Sequence, residues 1–148
     1  MARRVYPPTY LFICIVAMLL LRYGIPGGIF LSFPWILLGL LPLTFGLVIS
    51  VMASRAFDAQ GTTIKPFEES SVLVTDGVFR ISRHPIYLGF TLLLLGVALI
   101  LGSLYSLVVV AVFAVLMQIM FIQEEEKMLA EQFGEKWEEY RKKVRQWI

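Results

Sequence analysis

Long apolar runs separated by short polar stretches organise this chain, and the run lengths predict its elements. Residues 8–21 form the first run, short for a full bilayer crossing, with Tyr6, Tyr10, Arg22 and Tyr23 placed as interfacial anchors. A turn containing Gly24, Pro26, Gly27 and Gly28 leads to a second run, residues 29–53, which is long enough to span. Pro34 and Pro42 inside it predict kinked or terminated helical turns, because proline lacks the N–H of the helical ladder. Residues 54–84 are the one long polar stretch before the tail. Within it Ser71-Val72-Leu73-Val74-Thr75 reads as an extended piece and Asp76-Gly77 as a turn.

Residues 85–123 contain no Lys, Arg, Asp or Glu. At about 1.5 Å per residue, one helix of that length would cover nearly twice the hydrocarbon core, so the segment must fold back. Gly102-Ser103 is the best turn, giving spans at 86–101 and 104–122. The tail, 123–148, is densely charged, yet Leu129, Phe133, Trp137, Tyr140, Val144 and Trp147 recur at steps of three or four. That stripe predicts one amphipathic helix, lying on the membrane or packed on the domain. The expected fold is therefore a single all-α integral membrane domain, 1–148, with about four transmembrane helices and a C-terminal amphipathic helix.

Composition agrees: 58% of the 148 residues are hydrophobic, 16% are charged, and mean hydropathy is +0.77. A soluble domain carries about a quarter charged residues. The net charge of +2, with no basic, aromatic-interleaved patch, gives no case for a nucleic-acid partner. The single cysteine, Cys14, permits no intrachain disulfide. Met1 to Arg4 followed by an apolar run superficially resembles a signal peptide. The run ends at Arg22-Tyr23-Gly24 without a small-x-small site, so a retained first helix is expected.

Charge also orients the chain. With four spans, Arg3, Arg4, Arg55, Lys65, Arg80, Arg83 and the six basic residues of the tail share one side, and Arg22 alone lies on the other. The positive-inside rule places the central loop, the tail and both termini in the cytoplasm.

Two clusters can carry chemistry. Arg83-His84-Pro85-Ile86-Tyr87-Leu88-Gly89 opens the third span, and Glu124-Glu125-Glu126 follows the fourth. A helical hairpin brings its ends together, so the clusters should be neighbours in space. Each also has a plain reading: Arg, His and Tyr are ordinary interface residues, and three glutamates can form a solvated helix face. Ionisable groups beside hydrocarbon are nevertheless functional candidates by default. His84 is the sole histidine, and the carboxylates lack metal-loop spacing, so no metal is expected.

The run Gly77-Val78-Phe79-Arg80-Ile81-Ser82-Arg83-His84-Pro85-Ile86-Tyr87-Leu88-Gly89 resembles the signature of the isoprenylcysteine carboxyl methyltransferase and phospholipid N-methyltransferase superfamily. Glu125-Glu126-Lys127-Met128-Leu129, Phe133-Gly134 and Trp137-Glu138-Glu139-Tyr140 are similar to its second motif. The resemblance covers roughly residues 75–148. It implies a membrane methyltransferase using S-adenosylmethionine, with S-adenosylhomocysteine as product. It further implies a cofactor pocket lined by Ser71, Val72, Leu73, Val74, Phe79, His84, Pro85, Ile86 and Tyr87, with Glu125 binding the cofactor and Glu126 supporting it. Arg83, His84 and Glu126 are the catalytic candidates.

The acceptor implied is lipid-like, first a prenylated cysteine carboxylate and alternatively a phospholipid amine. A carboxylate needs no general base, whereas an amine or thiol must lose a proton, for which Glu126 or His84 is the candidate acceptor. Phe121 stands near the position where a basic residue holds a carboxylate substrate in the eukaryotic enzymes. NADPH-dependent membrane sterol and steroid reductases are the rival class. They share an Arg-His-Pro-like step, but their second motif tends to carry Arg-Asp and cysteine where this chain has Glu125-Glu126.

Overall fold

The computed structural model describes residues 6–61 and 72–148, so Ser71 of the expected cofactor loop lies outside the described residues. Helix α1, Pro7–Gly24, starts on a proline pair, which the first turn tolerates because its N–H groups have no intrahelical partner. It runs past the expected end at residue 21. Arg22, expected as an interfacial anchor, turns inward and donates Nε–H to the Leu101 carbonyl at 2.9 Å.

The second run does not become helical at residue 29. Residues 29–31 close the far hairpin turn instead: Ile29 bridges Ser103, and Phe30 N–H donates to the Gly102 carbonyl at 2.9 Å. A 3₁₀ turn, Trp35–Gly39, then leads into α2, Leu40–Ala59. The prolines fit this layout, with Pro34 just ahead of the 3₁₀ turn and Pro42 in the first turn of α2. The helix continues beyond residue 53 because nothing from Ser54 to Ala59 breaks it before Gln60-Gly61.

Helices α3, Pro85–Leu101, and α4, Leu104–Met117, form the expected hairpin. Gly102 sits at φ 59° between them, and a Cβ there would collide with the Leu31 carbonyl oxygen, so only glycine suits the turn. Helix α4 passes through a π turn, Gln118–Ile122, into α5, Gln123–Phe133. Leu104–Phe133 is thus one 30-residue helix, about 45 Å long at 1.5 Å per residue. It outruns a hydrocarbon core of about 30 Å and carries the glutamates clear of it. Gly134, at φ 50°, breaks the tail into α5 and α6, Glu135–Lys143, where one amphipathic helix was expected.

Among the described residues, three helical stretches are long and apolar enough to cross a membrane: Pro7–Gly24, Trp35–Ala59 and Leu104–Phe133. Helix α3 is shorter, with 17 residues, and packs against α1, α2 and α4. Its contact with α2 is made backbone to backbone. A Cβ on Gly46 would lie 2.5 Å from the Gly89 carbonyl oxygen, and one on Gly39 would lie 2.6 Å from that of Gly96. Small residues at a seven-residue repeat permit this approach, as is usual where packing rather than water drives helix association.

Two apolar clusters follow. Met18, Leu94, Ala98, Phe113, Met117 and Ile122 fill the bundle. Val74, Val78, Phe79, Trp137, Tyr140 and Val144 join the tail to the polar loop. The tail stripe therefore packs on the domain, with Trp137 only 1% exposed.

Candidate active site

The hairpin puts its two polar ends within bonding distance. His84 occupies the position before α3 and is 5% exposed. Its Nδ1 lies 3.5 Å from Glu125 Oε2 and its Nε2 lies 3.2 Å from Glu126 Oε1. Tyr87, one turn into α3, donates its hydroxyl to the other Glu125 oxygen at 2.6 Å. Arg83 donates Nε–H and Nη2–H to Glu126 Oε1 at 3.0 and 2.7 Å. Glu124, by contrast, faces outward beside Lys127, which is the solvated-face reading for that residue alone.

The electrostatics follow from this clamp. Burial alone would lower the imidazole pKa, but hydrogen bonds to Glu125 and Glu126 and their negative charges outweigh it, leaving His84 above its ordinary 6.5. Burial would raise the Glu126 carboxyl; hydrogen bonds from His84 and Arg83, with their charges, overcome this and hold it at about 2.

The remaining donors of Arg83 point away from the hairpin. Its Nη1–H groups reach the carbonyls of Val144 and Arg141, at 2.8 and 3.2 Å, and its guanidinium lies 5.7 Å from the Trp137 ring centroid. Arg83 thereby joins the carboxylates to the end of α6.

A cavity of about 370 Å³ opens beside the cluster. That volume falls in the range of about 300–1,000 Å³ typical of small-molecule sites. Its polar rim includes Arg83, His84, Tyr87 and Glu125, and its walls include Val72, Leu73, Val74, Phe79, Pro85 and Ile86. Every expected cofactor residue within the described residues therefore lines one space. Glu126 does not line it; it stands behind His84 and Arg83.

Several lining residues escaped the sequence reading. Tyr6, Pro7 and Pro8 arrive from the start of α1, and Ser50, Ser54 and Phe57 from α2. The latter three recur at steps of four and three, so the polar pair on one face of an apolar helix was a usable signal. Phe121 lies outside the cavity lining. It is 2% exposed and its ring meets Tyr10 and Tyr87 at 5.8 and 6.1 Å between centroids.

Residues 34–136, well over half the chain, match the phospholipid methyltransferase family. The chain belongs to that family. The matched stretch of this family member runs from the 3₁₀ turn before α2 through the start of α6, enclosing both halves of the site. A curated relative, the protein-S-isoprenylcysteine O-methyltransferase of Schizosaccharomyces pombe, is 40% identical over 76 residues. Those residues are 49% of this chain and 31% of the relative, so the match spans under a third of the relative's length. No solved structure matches the chain significantly.

Proposed function

We propose that this chain is an S-adenosylmethionine-dependent membrane methyltransferase acting on a lipid-like acceptor, with carboxyl O-methylation of an isoprenylcysteine as the leading reading. One observation carries this reading: Glu125, Tyr87 and His84 converge on a cavity walled mainly by apolar side chains, at the end of the apolar hairpin. Family membership and the activity that the curated relative is named for support it.

The residues present suit the cofactor. Glu125 is anchored through one oxygen by Tyr87 and through the other by His84, so its carboxylate is fixed where it can accept charge-assisted hydrogen bonds from an ammonium or from ribose hydroxyls. Phe79, Ile86 and Leu129 offer apolar surface to a flat ring and keep water from the reacting centre. When bound, S-adenosylmethionine supplies a methyl group already activated on a sulfonium. The protein's task is then alignment of the acceptor's electron pair and exclusion of water.

Proton accounting favours a carboxylate acceptor. An amine must shed a proton, yet both ring nitrogens of His84 are already turned to carboxylates, which raise its pKa, and Glu126 is held at about 2, where a carboxylate is a weak base. Neither is a good base near pH 7. A carboxylate needs none. One observation favours the second reading, a phospholipid amine: Phe121 is part of the core and offers no positive charge to an acid group.

The deciding assay supplies labelled S-adenosylmethionine together with either a farnesylated cysteine analogue or phosphatidylethanolamine. A base-labile product that releases methanol marks the carboxyl ester and is the expected result. A base-stable methylated lipid marks the amine. Methylation of water-soluble acceptors alone would defeat the lipid-like reading.

A further inference from the structure

The last residues of the chain form a strap that touches both halves of the site. Arg83 N–H donates to the Arg145 carbonyl at 3.0 Å, and the Ser82 hydroxyl donates to the Gln146 carbonyl at 3.0 Å. The same Ser82 oxygen accepts the His84 backbone N–H at 3.1 Å. On its other side the strap reaches the fourth span. Trp147 donates its indole N–H to the Gln118 side-chain oxygen at 3.0 Å.

Gln118 is the first residue of the π turn, Gln118–Ile122, that precedes the glutamates. A π turn adds one residue to the helix, which rotates everything after it by about 100° relative to an uninterrupted α-helix. The direction in which Glu125 and Glu126 project therefore depends on that turn. Such single turns are rare and occur frequently at functional sites.

We propose that Trp147 and Gln118 are positioning residues: their hydrogen bond registers the π turn, and with it Glu125 and Glu126, against His84 through the strap. Neither residue lines the cavity, so any effect they have on the chemistry passes through the cluster. The strap fixes the loop carrying Arg83 and His84, the latch fixes the helix carrying the carboxylates, and the spacing between the two is what the cluster requires.

The chain's single histidine makes this measurable without any ligand. The groups facing His84 are Glu125 and Glu126 from α5 and, from its own side, Tyr87 and Arg83, the latter through Glu126. Imidazole ¹⁵N shifts of histidine-labelled protein in detergent report the His84 titration alone. The variants Trp147→Phe, which keeps the ring and loses the donor, and Gln118→Met, which keeps the length and loses the acceptor, should each lower the His84 midpoint by roughly half a pH unit or more. The double variant should lower it no further than either single one, as one shared bond demands.

A lowered melting temperature in both variants with an unchanged His84 titration would overturn the proposal and leave the bond a simple fastening. This inference rests on the methyltransferase reading only for its bearing on catalysis. A second arm measures S-adenosylhomocysteine affinity, which both variants should weaken several-fold. Wild-type protein that ignores S-adenosylhomocysteine while the His84 midpoint still shifts would refute the cofactor reading and keep the positioning role.

Discussion

Glu125 is the residue on which the proposed cofactor site turns, because among the described residues it is the carboxylate that lines the cavity. Replacing it with Gln keeps shape and the Tyr87 hydrogen bond but removes the charge. S-adenosylhomocysteine affinity should fall by about 1.5–3 kcal/mol, the worth of a charge-assisted bond. Unchanged affinity in a folded variant, by calorimetry, would return Glu125 to the solvated face that Glu124 occupies.

The same cluster predicts a stability profile. Glu126 has its folded pKa below the ordinary 4.5, so its contribution is present above pH 4.5 and is lost as pH falls toward 2. His84 has its folded pKa above 6.5, so its contribution is full below pH 6.5 and is lost as pH rises through the higher folded value. Melting temperature in detergent should therefore be greatest between about pH 4.5 and 6.5. In a His84→Gln variant the alkaline fall should flatten; a fall that stays as steep would assign it to other groups.

At the scale of elements, the sequence made the hairpin legible because an uncharged run too long for one crossing has few ways to fold, and Gly102-Ser103 is a strong turn. From the hairpin alone came the neighbourhood of His84 and Glu125. The start of α2 was not legible. Residues 29–34 are as apolar as a span, and only tertiary bonds to the Gly102 turn show that they are used as a cap. The π turn was equally hidden, since Gln118–Ile122 has the composition of ordinary helix. The break at Gly134 was readable in principle, but the unbroken apolar stripe across it argued for one helix.

The glycine contact between α2 and α3 adds a prediction here. A Cβ on Gly89 meets the Ser50 hydroxyl and the Gly46 carbonyl, and backbone cannot yield as a side chain can. Gly89→Ala should cost about 1–3 kcal/mol, as overpacking does, and Gly46→Leu more. Thermal unfolding in detergent measures both, and wild-type stability in either would contradict the close packing described.

For the whole molecule, one end of the bundle gathers the start of α1, the end of α2, the start of α3 and α5 around a single cavity. Arg22 and the Gly102 turn mark the opposite end. Together with the basic residues of the central loop and tail, this places the site on the cytoplasmic face as a proposal. A reporter fused after Ile148 should be active only in its cytoplasmic form, and activity of a reporter that works only outside would reverse the orientation.

The cavity beside Glu125 and His84 is proposed to take S-adenosylmethionine rather than a nicotinamide cofactor. A ligand that binds only the native state raises its stability by an amount set by concentration over Kd. Thermal unfolding of the detergent-purified chain with S-adenosylhomocysteine and, separately, with NADPH distinguishes the two. Melting temperature should climb with S-adenosylhomocysteine concentration and should not respond to NADPH. Stabilisation by NADPH, with none by S-adenosylhomocysteine, would contradict the proposal.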